Sequence, residues 1–417
     1  MESNVVQVKL WGETVGYLYW NKKDDEAVFE YEPSFLTKRL DIAPLTMSVN
    51  SVRSQKQMPW VGDKDKLFQG LPPMIADSLP DKWGNSLFKA WLRDNNISMK
   101  TVTPVDHLSF IGHRAMGALE YEPARELGDS AAFDVDVQGL YEFAKQVLTE
   151  REATILTAES SILWQDLIKI SSSPGGKRPK AIVAINQKTG EVKSGQGVVP
   201  TGFDHYILKY DDNSAYPFAK LEYVYYRMAL AAGINMMHSG LRNYGGVTHF
   251  LTQRFDRKGN ERIHTQTLAA MSPDADSYED IFAVIRRLNL PYEDLRQQFL
   301  RMVFNVLTRN VDDHSKNFSF CMTPGGVWRL SPAYDLTYSV DLDAPAYMNK
   351  HSLTINGKNE NITRHDLEAV AQNNDIQNYN ALIDCVANAV ANFGVFAKEE
   401  GISQKVIDNI LGDFVKV

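Results

Sequence analysis

Apolar and polar residues alternate from Val5 to Trp20 around Gly12-Glu13, and again from Ala27 to Tyr31 after a charged turn at Lys22 to Glu26. Period two is the mark of a half-buried strand, so a small antiparallel sheet is expected at the start of the chain. Two proline breaks follow, Leu71-Pro72-Pro73 and Leu79-Pro80, and then Asp81 stands ahead of an apolar periodic run, Trp83 to Asp94, that carries Leu87, Ala90, Trp91 and Leu92. That is the pattern of a capped helix. A second helix is expected over Val137 to Thr149. The glycine-punctuated stretch Phe110 to Leu119 is expected to be a loop entering a strand.

The pattern changes near residue 151. Ser171-Ser172-Ser173-Pro174-Gly175-Gly176-Lys177-Arg178-Pro179-Lys180 leads into the apolar strand Ala181 to Ile185, a hairpin turn at Lys188 to Glu191 and a further extended run. Backbone N–H groups around Gly175 and Gly176 suit a phosphate, with Lys177, Arg178 or Lys180 adding charge. His205 to Tyr210 alternates as a strand that ends near Lys209, and a helix from about Phe218 to Ala232 carries Glu222 near its start. A strand lysine with a helix glutamate thirteen residues later is a kinase's means of holding the α and β phosphates. Val247 to Phe255 is a strand running into a hairpin turn at Asp256-Arg257-Lys258-Gly259. In this order it takes the place of a hinge whose backbone reads adenine, with Phe255 against the base. From His365 to Leu411 the chain is helical by period, with apolar positions suited to packing.

The richest chemistry lies between Asn310 and Asp335. The helical run Leu295 to Leu307 enters Asn310-Val311-Asp312-Asp313-His314-Ser315-Lys316-Asn317, Phe318 to Cys321 leaves it as a strand, and Tyr334-Asp335 follows a short hairpin. An Asp, an Asn five residues on and a second Asp beyond a hairpin is the spacing of a phosphotransferase catalytic loop and metal site. Asp312 is read as the base that orients the attacking hydroxyl. Asn317 and Asp335 are read as ligands of hard Mg²⁺ ions, which prefer oxygen. No catalytic constellation stands out in the first 150 residues, and His107 and His113 there are read as structural.

Composition narrows the class without changing it. At 417 residues, 44% hydrophobic and 23% charged, the chain is long enough for two or three domains with a large core. No run of eighteen apolar residues occurs and the first residues have no basic or apolar leader pattern, so a cytoplasmic protein with no membrane partner is expected. Cys321 and Cys385 lie far apart without metal-ligand spacing, as in a reducing compartment. A net charge of −8 argues against strong nucleic-acid binding by the chain as a whole, and leaves open a local basic patch or a DNA-binding partner.

Taken together, the Gly-rich loop, Lys209, Glu222, Gln253-Arg254-Phe255-Asp256-Arg257, Asp312-x-His314-x-Lys316-Asn317-Phe318-Ser319 and Tyr334-Asp335 resemble the HipA family of bacterial toxin kinases. The N-terminal sheet, Leu79-Pro80-Asp81 and Ile111-Gly112-x-x-x-x-Gly117 resemble its N-terminal part. The resemblance implies an α+β chain: a β-rich N-terminal subdomain over 1–150, a kinase-like ATP-binding lobe over 151–256 and a helical catalytic lobe over 257–417. It implies ATP bound by Lys209, Gln253, Phe255, His314 and Lys316, Asp312 catalytic, and Mg²⁺ on Asn317 and Asp335. It further implies a serine/threonine kinase acting on a protein, with glutamyl-tRNA synthetase the family's suggestion. The partners implied are a HipB-like helix-turn-helix antitoxin dimer and, through it, operator DNA. Self-phosphorylation maps best to Ser173, with Ser171 and Ser172 as neighbours. Gln253 stands where the family often has Glu, and Asp312-Asp313-His314-x-x-Asn317 is also similar to phosphatidylinositol kinases. A small-molecule or lipid kinase, or a non-catalytic nucleotide-binding corepressor, are therefore the other classes open to this sequence.

Overall fold

The computed structural model describes residues 5–124, 132–149, 158–171, 178–211, 216–340 and 349–417. The opening alternation folds as expected: β1 (Val5–Leu10), β2 (Glu13–Asn21), β3 (Glu26–Tyr31), β4 (Trp60–Val61) and β5 (Leu119–Glu122) form one antiparallel sheet in the order β4-β3-β2-β1-β5. Val6, Val8 and Leu10 point to one face of β1 and are fully buried. The β1–β2 hairpin turns on Trp11 and Gly12, both with positive φ (51° and 79°), the left-handed pair that suits the twist of a two-residue hairpin. A non-glycine residue accepts that conformation at a cost, and here the Trp11 indole is anchored by donating to the Arg262 carbonyl at 2.7 Å.

One local expectation is corrected. Phe110 and Ile111 close a helix, Pro104–Ile111, and only Gly112–Arg114, a single tight turn, separates it from the residues that lead into β5. Thr103 and Asp106 cap each other reciprocally at its start and Pro104 occupies its first turn, signals that outweigh the downstream glycines. His107 on this helix is buried and stacks on Phe88 at 3.8 Å, a packing role.

The second sheet is β6 (Lys180–Ile185), β7 (Val192–Ser194), β8 (Asp204–Lys209), β9 (Ser239–Tyr244) and β10 (Val247–Gln253), again antiparallel, in the order β7-β6-β8-β10-β9. Every residue of β6 is buried because the Ala158–Ser171 helix packs against it, while the Phe218–Ala231 helix crosses β10. The expected turn at Asp256 to Gly259 shifts. Arg257–Lys258 is itself the strand β11, paired with β12 (Glu261–Arg262), and the chain reverses at Gly259-Asn260.

Below lies the helical part. The Tyr292–Thr308 helix is buried almost all round, ends at Arg309 in the left-handed conformation, and delivers the chain into Asn310. A three-stranded sheet, β13 (His264–Thr267), β14 (Ser319–Met322) and β15 (Trp328–Leu330), flanks the loop that follows. Tyr379–Glu399 is long and apolar enough to cross a membrane by composition alone. It is broken into helices Tyr379–Val390 and Phe393–Glu399, which pack on the Phe218–Ala231 helix, the first also on Tyr292–Thr308.

Candidate active site

The site starts from an electrostatic conflict in the upper sheet. Register places Lys180 of β6 directly opposite Lys209 of β8, and like charges facing each other across a strand pair are unfavourable unless anions intervene. Anions do intervene. Lys209 Nζ lies 2.5 Å from Glu222 Oε1 and also contacts Asp335 Oδ1. The Phe218–Ala231 helix brings Glu222 down from above, and the loop after β15 brings Asp335 up from below. The spacing read from the sequence, strand lysine and helix glutamate, thus meets in space.

Charge and burial divide the titrations. Burial alone would raise the Asp335 carboxyl, but the Lys209 and Lys180 ammonium groups hold it well below the usual carboxylate range. Burial alone would lower Lys209, and Asp335 with Glu222 hold it above its ordinary value instead. Glu222 shares Lys209 with Asp335, and burial leaves its carboxyl raised. Burial lowers Lys180, only partly opposed by Asp335. Lys180, Lys209 and Lys316 thus face Glu222, Asp335 and Asp81 across one cleft, a charge-balanced cluster.

The catalytic-loop candidate is held by hydrogen bonds that fix its two adjacent acids in opposite roles. The Asp312 side chain is 58% exposed. Asp313 is buried: its carboxylate accepts from the Tyr278 hydroxyl at 2.7 Å and the Ser352 N–H at 2.7 Å, and meets His351 Nδ1 at 2.7 Å. The Tyr278 hydroxyl in turn accepts from Asn305 Nδ2 at 2.9 Å. Ser339 Oγ accepts the N–H groups of Val311 and Asp312 at 2.7 and 3.0 Å. Asn317 Nδ2 donates to the Asp312 carbonyl at 2.7 Å, which closes the loop and leaves the amide oxygen as an acceptor. Tyr334 ties the loop to the strand beside it, donating to the Lys316 carbonyl at 2.8 Å and meeting Ser319 Oγ at 2.6 Å. Asn317 and Asp335 line one small cavity with Asn310, Asp313 and Tyr334.

Asp335 itself sits at φ 52°, a left-handed conformation that costs a non-glycine residue on the order of 1 kcal/mol and that concentrates at functional sites. His314 Nε2 is 4.0 Å from Asp312 Oδ1, and Lys316 Nζ is 3.1 Å from Asp81 Oδ1. At the other end of the cleft, Phe255 is half-buried with its ring 5.4 Å from that of Tyr334. The N–H groups of Gln253 and Arg254 donate within the fold, to the carbonyls of His238 and His205 at 2.9 Å each, which removes both donors from the adenine contact expected of this strand. Arg178 is exposed with its guanidinium 3.1 Å from the Phe218 ring centroid. Gly175, Gly176, Ser172 and Ser173 lie outside the described residues. Ser171 is the last residue of its helix and is fully buried.

Sequence reasoning passed over Asp313, Tyr278, Ser339 and His351, which shape the loop. None carried a clear signal in sequence, because the partners that turn Asp313 inward, Tyr278, Ser352 and His351, lie far from it along the chain.

An antiparallel sheet with a lysine–glutamate pair, set over a helical body with an acid-bearing loop, defines a kinase-like two-lobed fold preceded by a β-rich module. Residues 172–393 match the family model of the HipA-like C-terminal domain, and residues 6–122 that of the HipA N-terminal domain. The chain belongs to the HipA family. Among curated proteins it is similar to the serine/threonine-protein kinase toxin HipA of Shewanella oneidensis, 24% identical over 221 residues, 46% of this chain and 49% of that one. It is also similar to a putative kinase of Haemophilus influenzae, 26% identical over 184 residues, 39% and 51% of the two chains. Each match spans about half of the relative's length. A chain of the Shewanella oneidensis toxin–antitoxin complex of HipA, HipB and operator DNA has the same fold. The TM-score is 0.67 at 16% identity, over 98% of this chain and 94% of that one.

Proposed function

We propose that this chain is the toxin kinase of a toxin–antitoxin pair, transferring the γ-phosphoryl group of Mg²⁺·ATP to a serine or threonine hydroxyl of a cellular protein. The observation that carries the reading is Lys209 held between Glu222 and Asp335, on a fold shared with the HipA–HipB–DNA complex. Lys209 and Lys180, with Arg178 and the backbone at Gly175 and Gly176, would take the triphosphate. With the Gln253 and Arg254 N–H groups bonded inside the fold, the Gln253 side chain and the Phe255 ring would hold the adenine end, and His314 and Lys316 the γ-phosphate end. Asp312, with an exposed side chain, would orient the acceptor hydroxyl and accept its proton.

The residues fit a divalent metal. Mg²⁺ keeps several waters and takes one or two protein oxygens plus phosphate oxygens. The Asn317 amide oxygen and the Asp335 carboxylate lining one cavity are such a pair. Bound metal would supply charge neutralisation at the β- and γ-phosphates.

With a net charge of −8 on the chain, operator binding falls to a helix-turn-helix antitoxin dimer. In this reading the cytoplasm holds both partners, and glutamyl-tRNA synthetase is the first acceptor to try. Modification of Ser173, which precedes Pro174 and the two glycines, would add roughly −1.5 to −2 charge where the triphosphate binds and so switch the kinase off. Incubating the chain and a cell extract with γ-labelled ATP tests the reading: label on protein serine or threonine supports it, and label confined to extractable metabolites or lipids overturns it.

A further inference from the structure

The motif Leu79-Pro80-Asp81 belongs to the N-terminal module, yet it reaches the kinase cleft, and its neighbours grip both lobes. Asp77 accepts from the N–H and hydroxyl of Thr267 at 2.6 and 2.7 Å. Thr267 caps the short Leu268–Met271 helix, whose first N–H donates to the carbonyl of Phe318, next to Asn317. Trp83, almost fully buried, donates its indole N–H to the carbonyl of Lys180 in the upper sheet at 3.3 Å. Between these two anchors stands Asp81, with Oδ1 3.1 Å from Lys316 Nζ and near enough to Lys180 to oppose the loss of its charge. The segment from Asp77 to Trp83 therefore staples the upper sheet to the catalytic loop across the cleft.

We propose that Asp81 is a positioning residue for phosphoryl transfer, holding the Lys316 ammonium over the transferred phosphate as Glu222 holds Lys209 over the other two. The proposal rests on the kinase reading above. An ammonium has three N–H donors, so Lys316 can keep Asp81 while meeting a phosphate oxygen, as Lys209 already meets two carboxylates at once. Lys316 precedes Asn317 and follows Asp312 by four residues, which places its charge beside the groups proposed to hold metal and acceptor. Without Asp81 a flexible four-carbon chain would hold that charge with no fixed partner from the N-terminal module. The pair is part-exposed, so its value lies in geometry more than in stability. The N-terminal module thus completes the phosphoryl-transfer site of this chain.

The test is a cycle of Asp81→Asn, Asp81→Glu, Lys316→Met and the Asp81→Asn/Lys316→Met double variant in the full chain. Each is assayed for kcat and KM for ATP with Mg²⁺ and myelin basic protein as acceptor. Asp81→Asn is expected to lower kcat about tenfold with KM for ATP little changed, the mark of an interaction used in the transition state. Asp81→Glu is expected to restore most of the rate, and Asp81→Asn to have no further effect once Lys316 is Met. A merely structural Asp81 would cost the same factor in both backgrounds, which overturns the proposal, as does an Asp81→Asn variant as active as wild type. A wild-type chain that transfers no phosphate either to myelin basic protein or to any protein of a cell extract overturns the kinase reading together with it, so the two failures are told apart.

Discussion

Lys209 holds Glu222 at 2.5 Å and Asp335 from the opposite lobe, so its removal strips two half-buried acids of their counter-charge and, in the proposed reading, the triphosphate of a cation. Lys209→Ala is expected to weaken ATP binding with or without Mg²⁺, and Asp335→Ala to weaken it chiefly when Mg²⁺ is present. Titration calorimetry in both conditions checks this, and Asp335→Ala binding Mg²⁺·ATP like wild type would remove the metal assignment. Tyr278 presents a second case. Its hydroxyl serves Asp313 and Asn305 together, so Tyr278→Phe leaves both buried groups short of a partner, at a cost of about 1–3 kcal/mol in urea unfolding. These residues differ in how they show in sequence. Lys209 and Glu222 sit on a regular strand and helix, where spacing converts directly to distance. Asp312 and Asp313 sit on an irregular loop, and which one turns inward depends on Tyr278 and His351, far along the chain.

Among elements, the joint between the N-terminal module and the second sheet is made of charge. Arg254 and Arg257 both pair with Asp256, which also accepts the Gly117 N–H at 2.7 Å, while Arg257 and Arg262 donate to the Gly117 carbonyl at 2.8 and 3.2 Å. Gly117 has φ 72°, and a Cβ there would stand 3.3 Å from the Thr265 nitrogen, so glycine permits the close approach. Burial would raise Asp256, but the Arg254 and Arg257 guanidinium groups hold it far below the usual carboxylate range. Asp256→Asn leaves two arginines without their buried anion, with an expected loss of about 3 kcal/mol or more in thermal or urea unfolding and faster proteolysis between module and kinase lobes. Period alone showed β1 to β3, β6, β8 and β10 and the helices near Trp83, Phe218 and Leu295, but not β9, β13 or the helices Ala158–Ser171 and Tyr278–Arg287. The tight turn after Ile111, the β11–β12 hairpin and this charged joint were not legible either, because capping and long-range arginine contacts decide them.

For the whole molecule, acid is expected to weaken the fold before the carboxylates titrate. Burial holds His107 at about 3 and His205, His249 and His264 at about 4, against 6.5 when unfolded. Below pH 6.5 the unfolded chain binds protons that the folded chain refuses. Stability is therefore full above that pH and falls toward about pH 4, by ~1.4 kcal/mol per pH unit for each histidine at most. The Asp77 and Glu222 carboxyls, raised by burial, work in the opposite sense. Comparing wild type with His107→Leu by urea unfolding from pH 7 to 4.5 isolates one histidine: the variant's profile is expected to be flatter, and parallel profiles would contradict the account. The two-lobed architecture and its kinase-like order were readable from the sequence, whereas the reach of the Asp77 to Trp83 segment into the cleft emerged only from the packing. The measurement that bears most directly on the central claim is transfer of γ-labelled phosphate from Mg²⁺·ATP to protein serine or threonine by wild type and Asp312→Asn. The account predicts transfer by wild type and a loss of about two orders of magnitude or more in the variant, whose shape is unchanged but whose base is gone. Equal transfer by both, or none by wild type, would contradict it.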